Sequence, residues 1–283
     1  MAQKPVLVRR VRRRKSLLLI PVVLAMIWCL IPLYVMLVGA LKPSVALSLI
    51  PADLNPFTNL RLTNFADVME SSRIGRAFLN SLIISVSTCV LTVAVGMMGG
   101  YAFAKRKFFG KKALFMLLMV TMMLPNQVMM IPRYMVAKNL ELTNELYGVI
   151  LTTINAAYAI FLCRQFILSI PDELLGAAKI DGCSEFQGFF HVVLPMSTPV
   201  IASLSIFTFI GSWNDFVWQN IMLSSNNLRT VPLMLAFLNN RTDSNAIALQ
   251  FAGATISAIP MIIMFMCFQK YFTRGISTGA VKE

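Results

Sequence analysis

The chain has 283 residues, 57% of them hydrophobic and only 13% charged, too apolar for a soluble domain that must wet its whole surface; the bilayer is the expected solvent. Its net charge of +13 is carried in short clusters between long apolar runs, not on one contiguous basic face, which excludes nucleic acid as a partner and turns the cations into topology signals. Cys29, Cys89, Cys163, Cys183 and Cys267 are scattered singly without CxxC spacing and His191 has no second histidine, so disulfide and metal frameworks are excluded and His191 reads as a helix-end or loop residue.

Residues 1–16 form a basic segment with Lys4, Arg9, Arg10, Arg12, Arg13, Arg14 and Lys15. The stretch that follows, 17–39, is uncharged and long enough to cross roughly 30 Å of hydrocarbon at about 1.5 Å per helical residue. It is longer than the ~7–15 residues of a signal-peptide core, so it reads as a retained helix. The loop 41–76 is the longest outside one; Pro43, Pro51 and Pro56 break it, and it is expected to fold over the outer mouth.

A second uncharged span covers 77–104, and within it Gly96 and Gly100 have the GxxxG spacing that permits close helix packing. Lys105, Arg106, Lys107, Lys111 and Lys112 follow before a third span at 113–131 and a shorter fourth at 146–163, closed by Arg164. A fifth is expected over 199–222 and a sixth over 246–268. Counting the loops that alternate spans would place together, 17 of the 25 lysines and arginines fall on one side, which puts both termini in the cytoplasm. Pro21, Pro32, Pro125, Pro199 and Pro260 lie in or at the ends of spans, where kinks are expected.

Between the fourth and fifth spans the segment 164–198 is long and patterned. Pro171 with Asp172 and Glu173 behind it makes a helix start, because proline presets φ and acids suit the positive helix end. Gly182 is a stop. Ser184 and Gln187 have capping-box spacing for a second short helix, which Pro195 would close or kink. Such a helix-turn-helix at the membrane surface, with Ala177 and Ala178 allowing close approach and Phe186, Phe189 and Phe190 as apolar anchors, reads either as a docking element or as an amphipathic pair resting on lipid headgroups.

In the fifth span Asp215 stands some 16 residues beyond Pro199, roughly 24 Å at helical rise. Thr208, Gly211, Asp215 and Gln219 would share one face of a continuous helix, with Trp213, Asn214 and Trp218 nearby. A carboxylate at that depth is costly against lipid and must face the bundle interior or a watery cavity. Trp213, Asn214, Asp215, Trp218 and Gln219 are therefore the candidate substrate pathway, with an interfacial anchor role for the tryptophans and a helix-tying role for Asp215 as the alternative. No GxxxxGK[ST] phosphate loop occurs, so no means of cradling ATP is evident.

The loop resembles the EAA loop of binding-protein-dependent ABC importer permeases: Gly176-Ala177-Ala178, three residues, Gly182, nine residues, then Val192-Val193-Leu194-Pro195. The family's glutamate is Gly176 here, which leaves Glu173, one turn earlier, or Asp172 to take its place. Nearly the whole chain resembles the carbohydrate-uptake branch, in particular the second maltose permease subunit: Asn80-Ser81, Tyr101-Ala102-Phe103-Ala104, Pro125, Ile131-Pro132, Asn144, Ser212 to Phe216 and the ending Arg274 to Lys282 all fit.

The resemblance implies an all-α, polytopic membrane protein with six transmembrane helices over 17–272, a cytoplasmic coupling helix in the loop at about 169–198, and a cytoplasmic tail over 273–283 that reaches toward the ATPase subunits. It implies a non-catalytic subunit that binds no cofactor and moves a sugar inward across a bacterial cytoplasmic membrane by alternating access. The implied partners are a second permease, two ATPase subunits that use the ATP, an extracytoplasmic substrate-binding protein and membrane lipid. The coupling residues carried over are Glu173, Gly176, Ala177, Ala178, Asp181, Gly182, Phe186, Leu194 and Pro195. A permease for another solute such as glycerol phosphate is the runner-up; a stand-alone secondary transporter would need more intramembrane charge than Asp215, and a membrane enzyme lacks any convergent catalytic set.

Overall fold

The computed structural model describes residues 4–47, 53–71, 73–240 and 245–280, with side chains for all of these but 4–18, 45, 71 and 268–280. The basic N-terminal side chains and those of the tail over 273–283 therefore lie outside the described residues. All regular structure among the described residues is helical. Three helices are long and apolar enough to cross a membrane, over Leu19–Ala40, Ile74–Lys105 and Ala246–Cys267, and three bent helix pairs raise the number to six if each pair is one span.

By contact the chain divides into residues 1–72 with 237–256, and residues 73–236 with 257–283. In the first unit, α1 (Lys4–Ala40) runs unbroken from the basic segment into the apolar stretch, with Pro21 and Pro32 inside it. Its Leu24 and Trp28 are 62% and 77% exposed, as befits a helix whose outer solvent is hydrocarbon. The following segment is ordered by one buried cation: Lys42, fully buried, donates from Nζ to Asp53 Oδ2 (3.0 Å) and to the hydroxyl and carbonyl of Thr58. That contact holds the Asp53 carboxyl below its ordinary range and satisfies a charge that would otherwise be costly to bury. Short helices α2 (Ser44–Leu47) and α3 (Thr63–Ser71) also lie within this expected loop.

The second unit is built on α4 (Ile74–Lys105). Its glycines meet α8 (Ala156–Leu168): a Cβ on Gly96 would lie 2.8 Å from Ala159 Cβ, and one on Gly100 would lie 2.6 Å from Cys163 Cβ and 2.9 Å from the Arg164 nitrogen. The GxxxG spacing thus does the packing work expected of it. Around this crossing Met97, Ala159, Cys163, Ile167, Phe189, Val193 and Leu204 form one core.

The third, fourth and fifth expected spans are each interrupted. Helices α5 (Lys111–Met122) and α6 (Asn126–Asn139) meet at 105°, because Pro125 takes an extended conformation and cannot donate to continue the ladder. So 113–131 is not one straight helix. Helices α7 (Leu146–Thr153) and α8 (Ala156–Leu168) meet at 46°, where Asn155 turns its side chain onto the backbone as a cap. After the loop helices α9 (Asp172–Ile180), α10 (Glu185–Gly188) and α11 (Leu194–Met196), α12 (Thr198–Trp213) ends short of Asp215, and α13 (Val217–Met222) starts afresh. The continuous helix expected over 199–222 is therefore two helices. Helices α14 (Val231–Asn239) and α15 (Ala246–Ala280) complete the chain.

Candidate functional site

Two neighbourhoods of the second unit gather polar side chains: the loop of 169–198 and a cavity among the broken helices.

In the loop, Pro171 at φ −59° precedes α9, and Asp172 and Glu173 lie in its first turn. The helix ends in a Schellman arrangement: the Cys183 N–H donates to the Ala178 carbonyl (2.9 Å) and the Gly182 N–H to that of Lys179 (3.2 Å). Gly182 sits at φ +84°, where a side chain would be strained. The capping box forms, with Ser184 Oγ accepting from the Gln187 N–H (3.3 Å) and Gln187 Oε1 from the Ser184 N–H (2.7 Å). Pro195 does not close the second helix. The chain absorbs it through a π-helical turn, Phe189–Val193, and bends by 73° only at Ser197.

The three phenylalanines separate in role. Phe189 is buried against Tyr101 (5.2 Å between rings), while Phe186 and Phe190 pair at 4.7 Å on the outside. Phe186 at 70% exposure, Ile180 at 88% and Leu174 are apolar side chains that the loop leaves exposed. Gly176, Ala177 and Asp181 are exposed and Ala178 half-buried, and a Cβ on Gly176 would touch nothing. Leu194 packs against the core and Pro195 is exposed. Two cations at the end of α4 hold the loop. Lys105, with an 8% exposed side chain, donates to Asp172 Oδ1 (2.6 Å) and to the Ile170 carbonyl, ahead of α9. Arg106 pairs with Glu185, in the first turn of α10, and its guanidinium also reaches the Tyr101 hydroxyl. Sequence reasoning took Lys105 and Arg106 only as topology signals; their partners lie 67 and 79 residues away. With Asp172 engaged, Glu173 is the first-turn acid that stays exposed without a partner among the described residues.

The cavity, about 450 Å³, opens between α6, the α7–α8 break, α12 and the α12–α13 break, within the ~300–1,000 Å³ of small-molecule sites. Its wall repeats one device. Asn155 Oδ1 accepts from the Tyr158 N–H (3.4 Å), and Asp215 Oδ1 from the Trp218 N–H (3.1 Å). Each cap is followed three residues on by an aromatic, and all four residues line the cavity. Trp218 is fixed on both sides: its Nε1 donates to Thr152 Oγ1 (2.9 Å), and the Arg133 guanidinium lies 3.7 Å from the ring centre. Arg133 also donates to the Thr152 carbonyl (3.3 Å), and both Arg133 and Asp215 line the cavity.

Of the five pathway candidates, Asp215 and Trp218 reach this cavity and three do not. The helix break rotates the others away. Trp213 is buried, stacked on Phe209 (5.7 Å, 14°) and edge-on to Phe78. Gln219 is buried and donates to the Ser212 carbonyl (2.8 Å). Asn214 points out and caps α12 through the Ile210 carbonyl (3.1 Å). Thr208 and Gly211 do line the cavity, as the shared face suggested. Arg133, Asn155 and Tyr158 were missed. Asn155 carried a signal, an amide interrupting an apolar run; Arg133, beyond the expected end of the third span, did not.

Comparison with known proteins places this geometry. Residues 92–278 match the family model described as binding-protein-dependent transport system inner membrane component. The arabinooligosaccharides transport system permease protein AraQ of Bacillus subtilis is 36% identical over 259 residues, 89% of this chain and 90% of that protein. The melibiose/raffinose/stachyose import permease protein MelC of the same organism is 31% identical over 96% of this chain and 99% of its own length. The sn-glycerol-3-phosphate transport system permease protein UgpE of Salmonella typhi is 32% identical over 87% of this chain and 90% of that protein. A chain of a bacterial ABC transporter involved in alginate import has the same fold, with a TM-score of 0.82 at 20% identity over 92% of this chain and 98% of that one.

Proposed function

This chain belongs to the binding-protein-dependent transport system inner membrane components and is a multi-pass membrane permease subunit of the sugar ABC importer type; on that premise we propose that it couples ATP hydrolysis in separate subunits to inward movement of an oligosaccharide or related solute. Each bent helix pair serves as one span, which gives six, with both termini and the 169–198 loop on the cytoplasmic side. The transporter comprises this chain, a second permease, two ATPase subunits and an external binding protein. ATP biases an assembly with two states because the states bind it with different affinity, and the loop is the lever. The chain itself hydrolyses nothing and holds no cofactor.

The observation that carries this reading is the construction of the loop. Two capped helices are fixed by ion pairs to the end of α4 and leave Leu174, Ile180 and Phe186 exposed. Exposed apolar side chains on a rigidly held loop suit a protein partner, and Glu173 supplies the carboxylate absent at Gly176. The test is purification from native membranes followed by reconstitution. An ATPase and a second permease are expected to co-purify, and uptake into liposomes is expected to need ATP; transport by the chain alone without ATP would overturn the proposal. A glycerol phosphate permease remains the second reading, favoured by the UgpE relatives, and ligand screening of the cognate binding protein separates the two.

A further inference from the structure

Resting on the permease reading, we propose that this subunit touches the transported solute itself, in the cavity walled by Arg133, Asn155, Tyr158, Ser212, Asp215 and Trp218, and that the site takes a neutral polyhydroxylated ring and rejects anions. The wall offers donors and acceptors together. Arg133 Nε and Ser212 Oγ are buried with no hydrogen-bond partner, and buried polar atoms are rarely left so without a ligand or solvent to meet. The Asp215 carboxylate spends Oδ1 on the Trp218 N–H and keeps capacity to accept, and Asn155 and the Tyr158 ring stand beside it. A sugar hydroxyl both donates and accepts and so answers all of these at once.

The carboxylate or phosphate group of an anionic solute only accepts. It would meet a single guanidinium, that of Arg133, which lies over Trp218 and already donates one N–H to the Thr152 carbonyl, and it would be repelled by Asp215. One cation and one anion on the same cavity wall give no net attraction for either sign of charge.

The experiment uses the assembled transporter in detergent without binding protein, with raffinose, a trigalacturonate and glycerol 3-phosphate as probes. Tryptophan fluorescence is read against a Trp218→Phe complex, which isolates the Trp218 signal. Raffinose is expected to give a saturable Trp218-dependent change, and the two anions none at the same concentrations. Asp215→Asn, which keeps the cap to Trp218, is expected to weaken raffinose about fivefold to tenfold, the difference between a charged and a neutral hydrogen bond. Tyr158→Phe removes one hydroxyl only and is expected to weaken it less while leaving assembly intact, so the test survives if Asp215→Asn fails to assemble. No Trp218-dependent change with raffinose, equal binding of the anions, or unaltered affinity in both variants would overturn the proposal. If ATP hydrolysis by the same complexes is normal while the cavity binds nothing, this inference falls and the permease reading stands.

Discussion

The loop of 169–198 and the stretch from Thr198 to Met222 are neighbours in sequence, and each carries a helix break with a side-chain cap, yet they were legible to different degrees. In the loop the Ser184 capping box and the Gly182 stop settle the fold locally, with partners within five residues. In the second stretch the Asp215 cap is also local, to Trp218, but Asn214 and Asp215 inside an apolar run fit a polar face of one continuous helix as readily as a stop at Trp213. What fixes that break is distant: Thr152 and Arg133 hold the Trp218 indole, and Phe78 holds Trp213. The difference teaches that a polar loop writes its own geometry, whereas a polar residue inside a membrane run acquires its meaning from the helices that surround it.

Both regions lean on the α4–α8 crossing, so the largest effect is expected there. Gly100→Val should cost about 3 kcal/mol, the upper part of the overpacking range, because the added carbons meet Cys163 and the Arg164 backbone. Gly176→Val, on open surface, should leave thermal stability in detergent unchanged or raised by a few tenths of a kcal/mol by comparison, since glycine is the poorer helix former. Equal loss in the two variants would break the contrast between a packed and a presented glycine.

Gly182→Val comes next. Its φ of +84° makes a β-branched residue cost roughly 1–2 kcal/mol, and the loop should lose its lever action. ATP hydrolysis should then persist while uptake falls at least tenfold; unchanged uptake would count against the lever role.

The sharpest version of the comparison is a pair of cap deletions. Ser184→Ala and Asp215→Ala should each cost about 1 kcal/mol in stability, since each removes one acceptor from a helix start. Their functional signatures should separate: Ser184→Ala lowers the coupling of hydrolysis to uptake, and Asp215→Ala raises the KM for solute with coupling kept. If both variants shift the same parameter, the two regions are one functional unit.

Glu185→Gln should have the smallest effect. Its partnership with Arg106 is solvent-exposed, where such pairs contribute about 0.2–1 kcal/mol and fade with salt. The expected result is a modest coupling loss visible at low ionic strength and absent at high.

By itself the sequence determined that this chain lives in a membrane, which segments are apolar enough to cross it, that Pro171, Gly182 and the Ser184 capping box punctuate the loop helices, and that Gly96 and Gly100 leave one face of the second span bare of side chains. Each of these is set by composition or by interactions within a turn or two, so neighbouring residues suffice to reveal it. Only the tertiary structure decided that the third span bends as far as 105° at Pro125, that the fourth and fifth are broken, that Trp213 and Gln219 are core while Asp215 and Trp218 face a cavity, and that Lys105 and Arg106 clamp the loop. Those outcomes depend on pairs such as Arg133 with Trp218 or Lys105 with Asp172, separated by 67 residues in the second case, and a run of apolar letters gives no sign of which distant side chain will arrive to satisfy a freed backbone group or a buried charge.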